Sequence, residues 1–183
     1  MKKVIYLAGP IAGLNEEEGT GWRKDVASRL SDATNGNIIG ISPLRCEPVK
    51  PGMMYDEPGA VEKLWSGPRS INAKNWLDTD SSDLVLAYLP KVYNDRRPSI
   101  GTLIEIGWTI GLNKPLIVVS DDNQLLEHPL IKCNAAWRLN ELDDAAEVII
   151  AQEQAMLAFK ERYGERIFTN NYEQLTQTPE HHI

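Results

Sequence analysis

Four short apolar runs, separated by longer polar or amphipathic stretches, constrain the fold of this chain more than any other feature. Each run is rich in strand-forming residues and is stopped by glycine, proline or polar residues. The runs span residues 4–8, 37–42, 83–89 and 115–120. Stretches with helical spacing lie between them. One of these carries Trp22, Val26, Ala27 and Leu30 and is predicted to follow a polar loop over residues 9–21. Strands that alternate with helices indicate a parallel sheet with right-handed crossovers. We therefore expect an α/β fold, a flavodoxin-like doubly wound parallel sheet of four to five strands with flanking helices.

The rest of the pattern predicts one domain with an insertion and a tail. Residues 1–164 form the predicted domain, with a helix over 70–82, a short edge strand within 130–139 and a long amphipathic helix over 143–164. We expect the inner face of that last helix to carry Ile149, Met156, Phe159 and Tyr163. The Pro-rich loop 43–70 lacks periodicity, which is typical of a segment that covers a substrate, contacts another subunit or is a surface insertion. The polar residues 165–183 are predicted to form a tail.

Composition limits the partners of the chain. With 183 residues it is long enough to bury a core, and its formal net charge of -7 argues against binding to nucleic acid polymers or to anionic membrane surfaces. We find no apolar stretch of membrane-spanning length, and the first apolar run is too short for a signal peptide. Cys46 and Cys133 show no metal-like spacing. The simplest interpretation of the composition is a reduced, cytoplasmic protein.

The segment from Ser99 to Trp108 carries the strongest functional signal. Gly101 permits a tight turn after the third apolar run, and the apolar residues Leu103, Ile106 and Ile110 recur at helical spacing, which predicts one face of a largely buried helix. Glu105 therefore lies in the first turns of a helix near the carboxyl end of a central strand, where α/β proteins bind ligands. An ion pair, or a favourable interaction with the helix dipole, would also explain a glutamate at this position.

Several familiar motifs are absent from the sequence. There is no G-x-G-x-x-G after the first strand, no P-loop and no G-x-S-x-G, which argues against dinucleotide, P-loop and serine hydrolase chemistry. The three histidines have no acidic or thiol cluster around them, so we expect no metal and no cofactor. What remains is a set of carboxylates at strand ends and Tyr6 on the first strand. Carboxylates of this kind cleave glycosidic bonds, one of them attacking or stabilising the anomeric carbon.

Three segments, in order, carry a family resemblance: Ile5 to Ile11, Ser82 to Ala87, and the pattern from Ser99 through Gly101, Thr102 and Glu105 to Gly107. They resemble the nucleoside 2-deoxyribosyltransferase family, which includes deoxynucleoside 5'-monophosphate N-glycosidases and phage-borne members. The resemblance covers roughly residues 4–120, most of a domain. It implies a flavodoxin-like subunit in a homodimer or higher homo-oligomer with shared sites. It also implies cleavage of the N-glycosidic bond of a (deoxy)nucleoside or its 5'-monophosphate, with the sugar passing to water or to a second base.

The resemblance also implies roles for individual residues. Glu105 would be the nucleophile on C1', Tyr6 would orient it, and an acidic residue such as Asp78 or Asp83 would protonate or bind the base. Ser99 corresponds to a phosphate-contacting serine, and Arg45, Arg69 or Arg97 would add phosphate contacts. The residues predicted to bind substrate are Gly9, Pro10, Ile11, Asn75, Ser99, Gly101 and Arg69.

Asn75 departs from the family pattern, which usually has an aspartate there, eight residues before Asp83. An amide forms hydrogen bonds with a base but does not donate a proton as a carboxylic acid does. Asn75 therefore leaves open a nucleotide-binding or sensing protein with weak activity on the same fold. A structural or oligomerisation protein is a further alternative, which the Trp-containing loop and the long C-terminal helix favour.

Overall fold

The computed structural model describes residues 2–45, 49–50, 52–55, 57–61, 67–91 and 99–163. The predicted tail 165–183, parts of the Pro-rich loop 43–70 and Arg97 lie outside these residues. Among the described helices, none is long and apolar enough to cross a membrane.

Five parallel strands form the sheet. In chain order they are β1 (Lys3–Ala8), β2 (Ile38–Ile41), β3 (Leu84–Tyr88), β4 (Leu116–Val119) and β5 (Trp137–Leu139). Their order in the sheet is β2-β1-β3-β4-β5, and all four pairings are parallel. This order is the flavodoxin-like one, in which the chain reverses direction across the sheet between β1 and β3. The predicted fold class is confirmed.

Six helices in the described residues cover the two faces of the sheet. They are α1 (Glu16–Ala33), α2 (Pro68–Ser81), α3 (Ile100–Gly111), α4 (Asn123–Leu126), α5 (Pro129–Asn134) and α6 (Leu142–Tyr163). α1 begins earlier than expected, because Asn15 and Glu18 form a capping box and three glutamates occupy the first turn. The polar loop after β1, predicted to run to Gly21, therefore ends at Asn15.

Residues along β1 alternate between two buried clusters. Ile5 and Leu7 pack with apolar residues of α1 and α6 on one face of the sheet. Tyr6 and Ala8 face the other side and pack with a cluster that includes Ile106 of α3. This period of two places the phenol of Tyr6 on the α3 side of the sheet.

Two predicted inner faces were wrong in part. On α3, Ile106 is buried, but Leu103 and Ile110 are among the exposed apolar residues. On α6, Ile149 is buried, whereas Met156 and Phe159 are exposed because the helix continues past its contacts with the sheet, and no described residue after Glu153 is buried. The side chain of Tyr163 lies outside the described set.

Candidate active site

A cavity of about 520 Å³ opens at the carboxyl edge of the sheet. The loop after β1 contributes Gly9 and Ile11, and the start of α3 contributes Ser99, Gly101 and Glu105. α2 supplies a third wall through Asn75 and its neighbours, and the described part of the Pro-rich loop supplies a fourth. The volume lies in the range of small-molecule sites.

The carboxylate of Glu105 is held by two hydrogen bonds from two different elements. The phenol of Tyr6 on β1 donates to Oε1 at 2.7 Å, and the Nδ2 group of Asn75 on α2 donates to the same oxygen at 2.9 Å. Glu105 is only 4% exposed, yet it lines the cavity. Among the described residues, both hydrogen bonds to the carboxylate fall on Oε1, so Oε2 is the oxygen left for a ligand.

Burial dominates the ionisation of Glu105. It raises the pKa of the carboxyl from 4.5 to about 7, against opposing effects from the Tyr6 hydrogen bond, Arg23, the Asn75 hydrogen bond and Lys74. A carboxyl group with this pKa is ionised in part of the molecules near neutral pH, and a pKa perturbed by burial in a cavity is typical of catalytic carboxyl groups.

Arg23 is a buried cation that sequence reasoning missed. It is 1% exposed; its Nε donates to the Leu7 carbonyl at 3.0 Å, and one Nη donates to the Gly19 carbonyl. Burial lowers its pKa to about 10, so the guanidinium remains charged at neutral pH. The signal for its position was its spacing, because Arg23 lies on the same helix face as the buried Val26 and Leu30.

Tyr6 is suited to donating a hydrogen bond and not to releasing a proton. Its side chain is fully buried. Burial, followed by the negative charge of Glu105, raises the pKa of the phenol well above 10. The hydroxyl therefore keeps its proton and orients Oε1.

The structure does not bring Asp78 into the cavity. Its carboxylate accepts two hydrogen bonds from the Arg45 guanidinium, at 2.5 and 2.6 Å, and its side chain is 8% exposed. Both of its oxygens are occupied by Arg45, and Asp78 is not among the residues that line the cavity. The role of proton donor to the base that we expected for Asp78 is therefore not supported by this geometry.

Asp83 lies at the opposite edge of the sheet. It precedes β3, and its Oδ2 accepts a hydrogen bond from the backbone N–H of Val4 at 2.7 Å, at the amino ends of the strands. Asp83 precedes a strand, so a structural role as a backbone acceptor was the alternative to catalysis, and its hydrogen bond from Val4 fits that structural role. Asp83 links β1 to β3 and does not line the cavity.

The predicted substrate-binding residues divide into two groups. Those that line the cavity are Gly9, Ile11, Asn75, Ser99 and Gly101. Pro10 is buried beside them, and Arg69 is an exposed residue in the first turn of α2; neither lines the cavity. Gly9 is required by close packing, since a Cβ there would lie 2.7 Å from the Trp22 ring.

The described part of the Pro-rich loop forms a wall of the cavity. Leu44, Tyr55, Glu57 and Pro58 line it, and the backbone N–H of Tyr55 donates to the Leu14 carbonyl at 3.0 Å. This position fits the covering role, one of the interpretations left open for residues 43–70.

Comparison with known proteins identifies the family. The family model for nucleoside 2-deoxyribosyltransferases matches residues 5–158, most of the chain. The chain belongs to the nucleoside 2-deoxyribosyltransferase family. Membership supports N-glycosidic bond chemistry, either deoxyribosyl transfer or N-glycosidase activity. No curated protein matches the chain at the level of sequence.

Two solved structures show the same fold at low sequence identity. A 2-deoxyribosyltransferase from Bacillus psychrosaccharolyticus is 19% identical, with a TM-score of 0.55; the match covers 78% of this chain and 90% of that one. The CMP N-glycosidase of Clostridium botulinum is 14% identical, with a TM-score of 0.50, and the match covers 80% and 97% of the two chains.

Proposed function

We propose that this protein cleaves the N-glycosidic bond of a (deoxy)nucleoside or its 5'-monophosphate through a covalent glycosyl–Glu105 intermediate. The observation that carries the proposal is the carboxylate of Glu105, which is fixed through Oε1 and borders a nucleotide-sized cavity. Oε2 attacks C1' while the C1'–N bond breaks and its electron pair leaves with the base. Water or a second base then takes the sugar and regenerates the carboxylate.

The groups around Glu105 support a nucleophile. Tyr6 and Asn75 leave the carboxylate little freedom to rotate, so less orientational entropy is lost when the substrate binds. The charge of the buried Arg23 favours the anionic form that attack requires. Burial removes water from the carboxylate, which increases its reactivity towards a carbon that gains positive charge in the transition state.

The start of α3 supports a 5'-monophosphate as substrate. Ser99 caps this helix and, with Gly101 and Thr102, lines the cavity. Free backbone N–H groups and the positive end of the dipole at a helix N-terminus bind phosphate well. The ammonium group of Lys74 also borders the cavity and adds positive charge.

A base-release assay tests the proposal. The protein is incubated with deoxynucleosides and their 5'-monophosphates, with and without a second free base, and the released base is followed by chromatography. Release into water indicates a hydrolase, and exchange only with added base indicates a transferase. Glu105→Gln should abolish turnover while the fold is retained. Wild-type rates in that variant would exclude Glu105 as the nucleophile.

Asn75 favours a second candidate function, a nucleotide-binding or sensing protein with little turnover. In that case the same ligands would raise the melting temperature of the wild-type protein without being cleaved.

We also propose that the chain works as a homo-oligomer, with the paired outer surfaces of α2 and α3 packed against a second copy. This α2–α3 face carries apolar side chains that are between 37% and 62% exposed: Ile71, Trp76, Leu77, Ile100, Leu103, Ile104 and Ile110. Contiguous exposed apolar residues of this kind mark interaction surfaces. Ile71 also lines the cavity, so a second copy seated here would border the site. The cytoplasm remains our proposed compartment.

A further inference from the structure

Asn75 lines the cavity beside Glu105, and its hydrogen bonds define what it does there. Its Nδ2 group donates to Glu105, and its Oδ1 is buried with no hydrogen-bond partner among the described residues. An amide has no acidic proton. Asn75 therefore holds the nucleophile and provides no acid to the leaving group.

Among the described residues, the other proton-bearing groups near Asn75 are placed for other contacts, apart from Glu57. The two oxygens of Asp78 are occupied by Arg45, and Asp78 does not line the cavity. The Tyr6 hydroxyl already donates its hydrogen bond to Glu105 inside the protein. Lys74 donates to the Pro43 carbonyl, and an alkylammonium group is a far weaker acid than a carboxylic acid. Glu57, on the Pro-rich loop, is the other described carboxylate in the lining.

We infer that the preferred substrates are N-glycosides whose base already carries a positive charge on a quaternised ring nitrogen, and that Asn75 determines this preference. The inference rests on the proposed function. When Oε2 of Glu105 bonds to C1', the C1'–N electron pair neutralises the ring nitrogen and the base departs as a neutral molecule, so no proton is needed. Water then attacks C1', the C1'–Oε2 bond breaks, and the proton of water passes to solvent.

Two groups in the cavity lining suit a cationic aromatic base. Glu57 is a second carboxyl group beside Glu105, and Tyr55 is an aromatic residue of the lining. Lys74 is the one cationic residue in the described lining, and its ammonium group donates to the Pro43 carbonyl. Aromatic faces and carboxylates both attract cations. A neutral base would gain less from these groups and would also have to leave without protonation.

The test compares 7-methyl-2'-deoxyguanosine with 2'-deoxyguanosine, and their 5'-monophosphates, each rate being divided by the spontaneous rate of the same compound. An enzyme that protonates the base enhances cleavage of the neutral compound about 10²- to 10⁴-fold more than that of the methylated one, because general acid catalysis acts only on the neutral base. We therefore expect this enzyme to enhance both reactions to a similar extent, within about tenfold, so that the methylated compound is cleaved faster in absolute terms. An enhancement at least about 100-fold larger for the neutral compound would overturn the inference and leave the proposed function standing. Cleavage of neither compound would overturn the proposed function as well.

Asn75→Asp separates an acid role from a structural one. The substitution places a carboxyl group beside Glu105, and in its protonated form that group restores a proton donor. We therefore expect at least about a tenfold gain on the neutral base below pH 7 and no gain on the methylated one. Asn72→Asp, at an exposed position on the same helix, adds the same charge and should change the cleavage rate of neither the neutral nor the methylated substrate.

Two results would contradict the role of Asn75: loss of both activities in a folded Asn75→Asp variant, or equal gains on both substrates. Glu57→Gln completes the test, because selective loss of the neutral-base reaction would assign the proton to Glu57 and overturn the inference.

Discussion

Replacing Tyr6 with phenylalanine removes one of the two donors that hold Glu105 and leaves the packing of β1 almost unchanged. The lost contact is a buried 2.7 Å hydrogen bond from the phenol to Oε1. A hydrogen bond to a charged group contributes about 1.5 to 3 kcal/mol, and about 1.36 kcal/mol corresponds to one pKa unit. Because the bond favours the ionised form, its loss should raise the pKa of Glu105 by about 1 to 2.

The direction of the effect on activity follows from which form reacts. The carboxyl pKa of about 7 would move to about 8 to 9 in Tyr6→Phe. Activity needs the anion, so it is lost as pH falls through this pKa. At pH 7 the ionised fraction should therefore drop about 5- to 50-fold and should recover as the pH is raised.

The measurement is the pH dependence of kcat/KM for base release between pH 5 and pH 10, which reports ionisation in the free enzyme. Tyr88→Phe is a matched control: Tyr88 lies on the neighbouring strand β3, is half-buried and packs against Trp22. The acid limb of the kcat/KM profile of Tyr88→Phe should coincide with that of the wild type. An unmoved acid limb in Tyr6→Phe, with or without a fall in the plateau, would refute the proposed coupling between the phenol and the nucleophile.

Three further predictions concern stability, assembly and substrate. Glu105→Gln should be inactive and yet more stable than the wild type above pH 7. The folded-state pKa of Glu105 is raised from 4.5 to about 7. Ionisation of this group therefore removes up to about 3 kcal/mol from the free energy of unfolding as the pH rises between these two values. Denaturant unfolding should show that the wild type loses this stability between pH 5 and pH 8 and that Glu105→Gln does not. Ile104→Glu, on the α2–α3 face, should yield monomers in light scattering, whereas Leu130→Glu, at an exposed apolar residue of α5, should not; equal assembly of both variants would move the interface elsewhere. Ser99→Ala should raise KM for a 5'-monophosphate more than for the matching nucleoside, and an equal change for both would argue against phosphate binding at the start of α3.

The sheet and the position of Glu105 were readable from sequence because both depend on local patterns. Short apolar runs that end in glycine or proline located the strands, and Glu105 lies in the helix that follows the third of these runs. The pairing of Tyr6 with Glu105 came from the family resemblance, and the structure joins them by a hydrogen bond across 99 positions of sequence.

The errors share a different origin, which is contact between distant parts of the chain. The partner of Asp78 is Arg45, 33 positions away in the sequence, and no local sequence pattern predicts that pair. The apolar residues of α3 were assigned to the core, but helical spacing does not distinguish a core face from a face presented to another molecule. Arg23 was missed because a charged residue in an amphipathic helix is ordinarily solvated.

Oε1 of Glu105 accepts hydrogen bonds from both β1 and α2. The ionisation of this carboxyl group therefore depends on how α2 packs against the rest of the domain. If α2 moves away, Glu105 keeps its hydrogen bond to Tyr6, loses the amide of Asn75 and gains contact with water. Because burial is the largest effect on the pKa of this carboxyl, its affinity for a proton falls. Partial detachment of α2 would therefore be visible as an acid drift of the activity curve before any loss of secondary structure, so that a titration of turnover also measures tertiary order around Glu105.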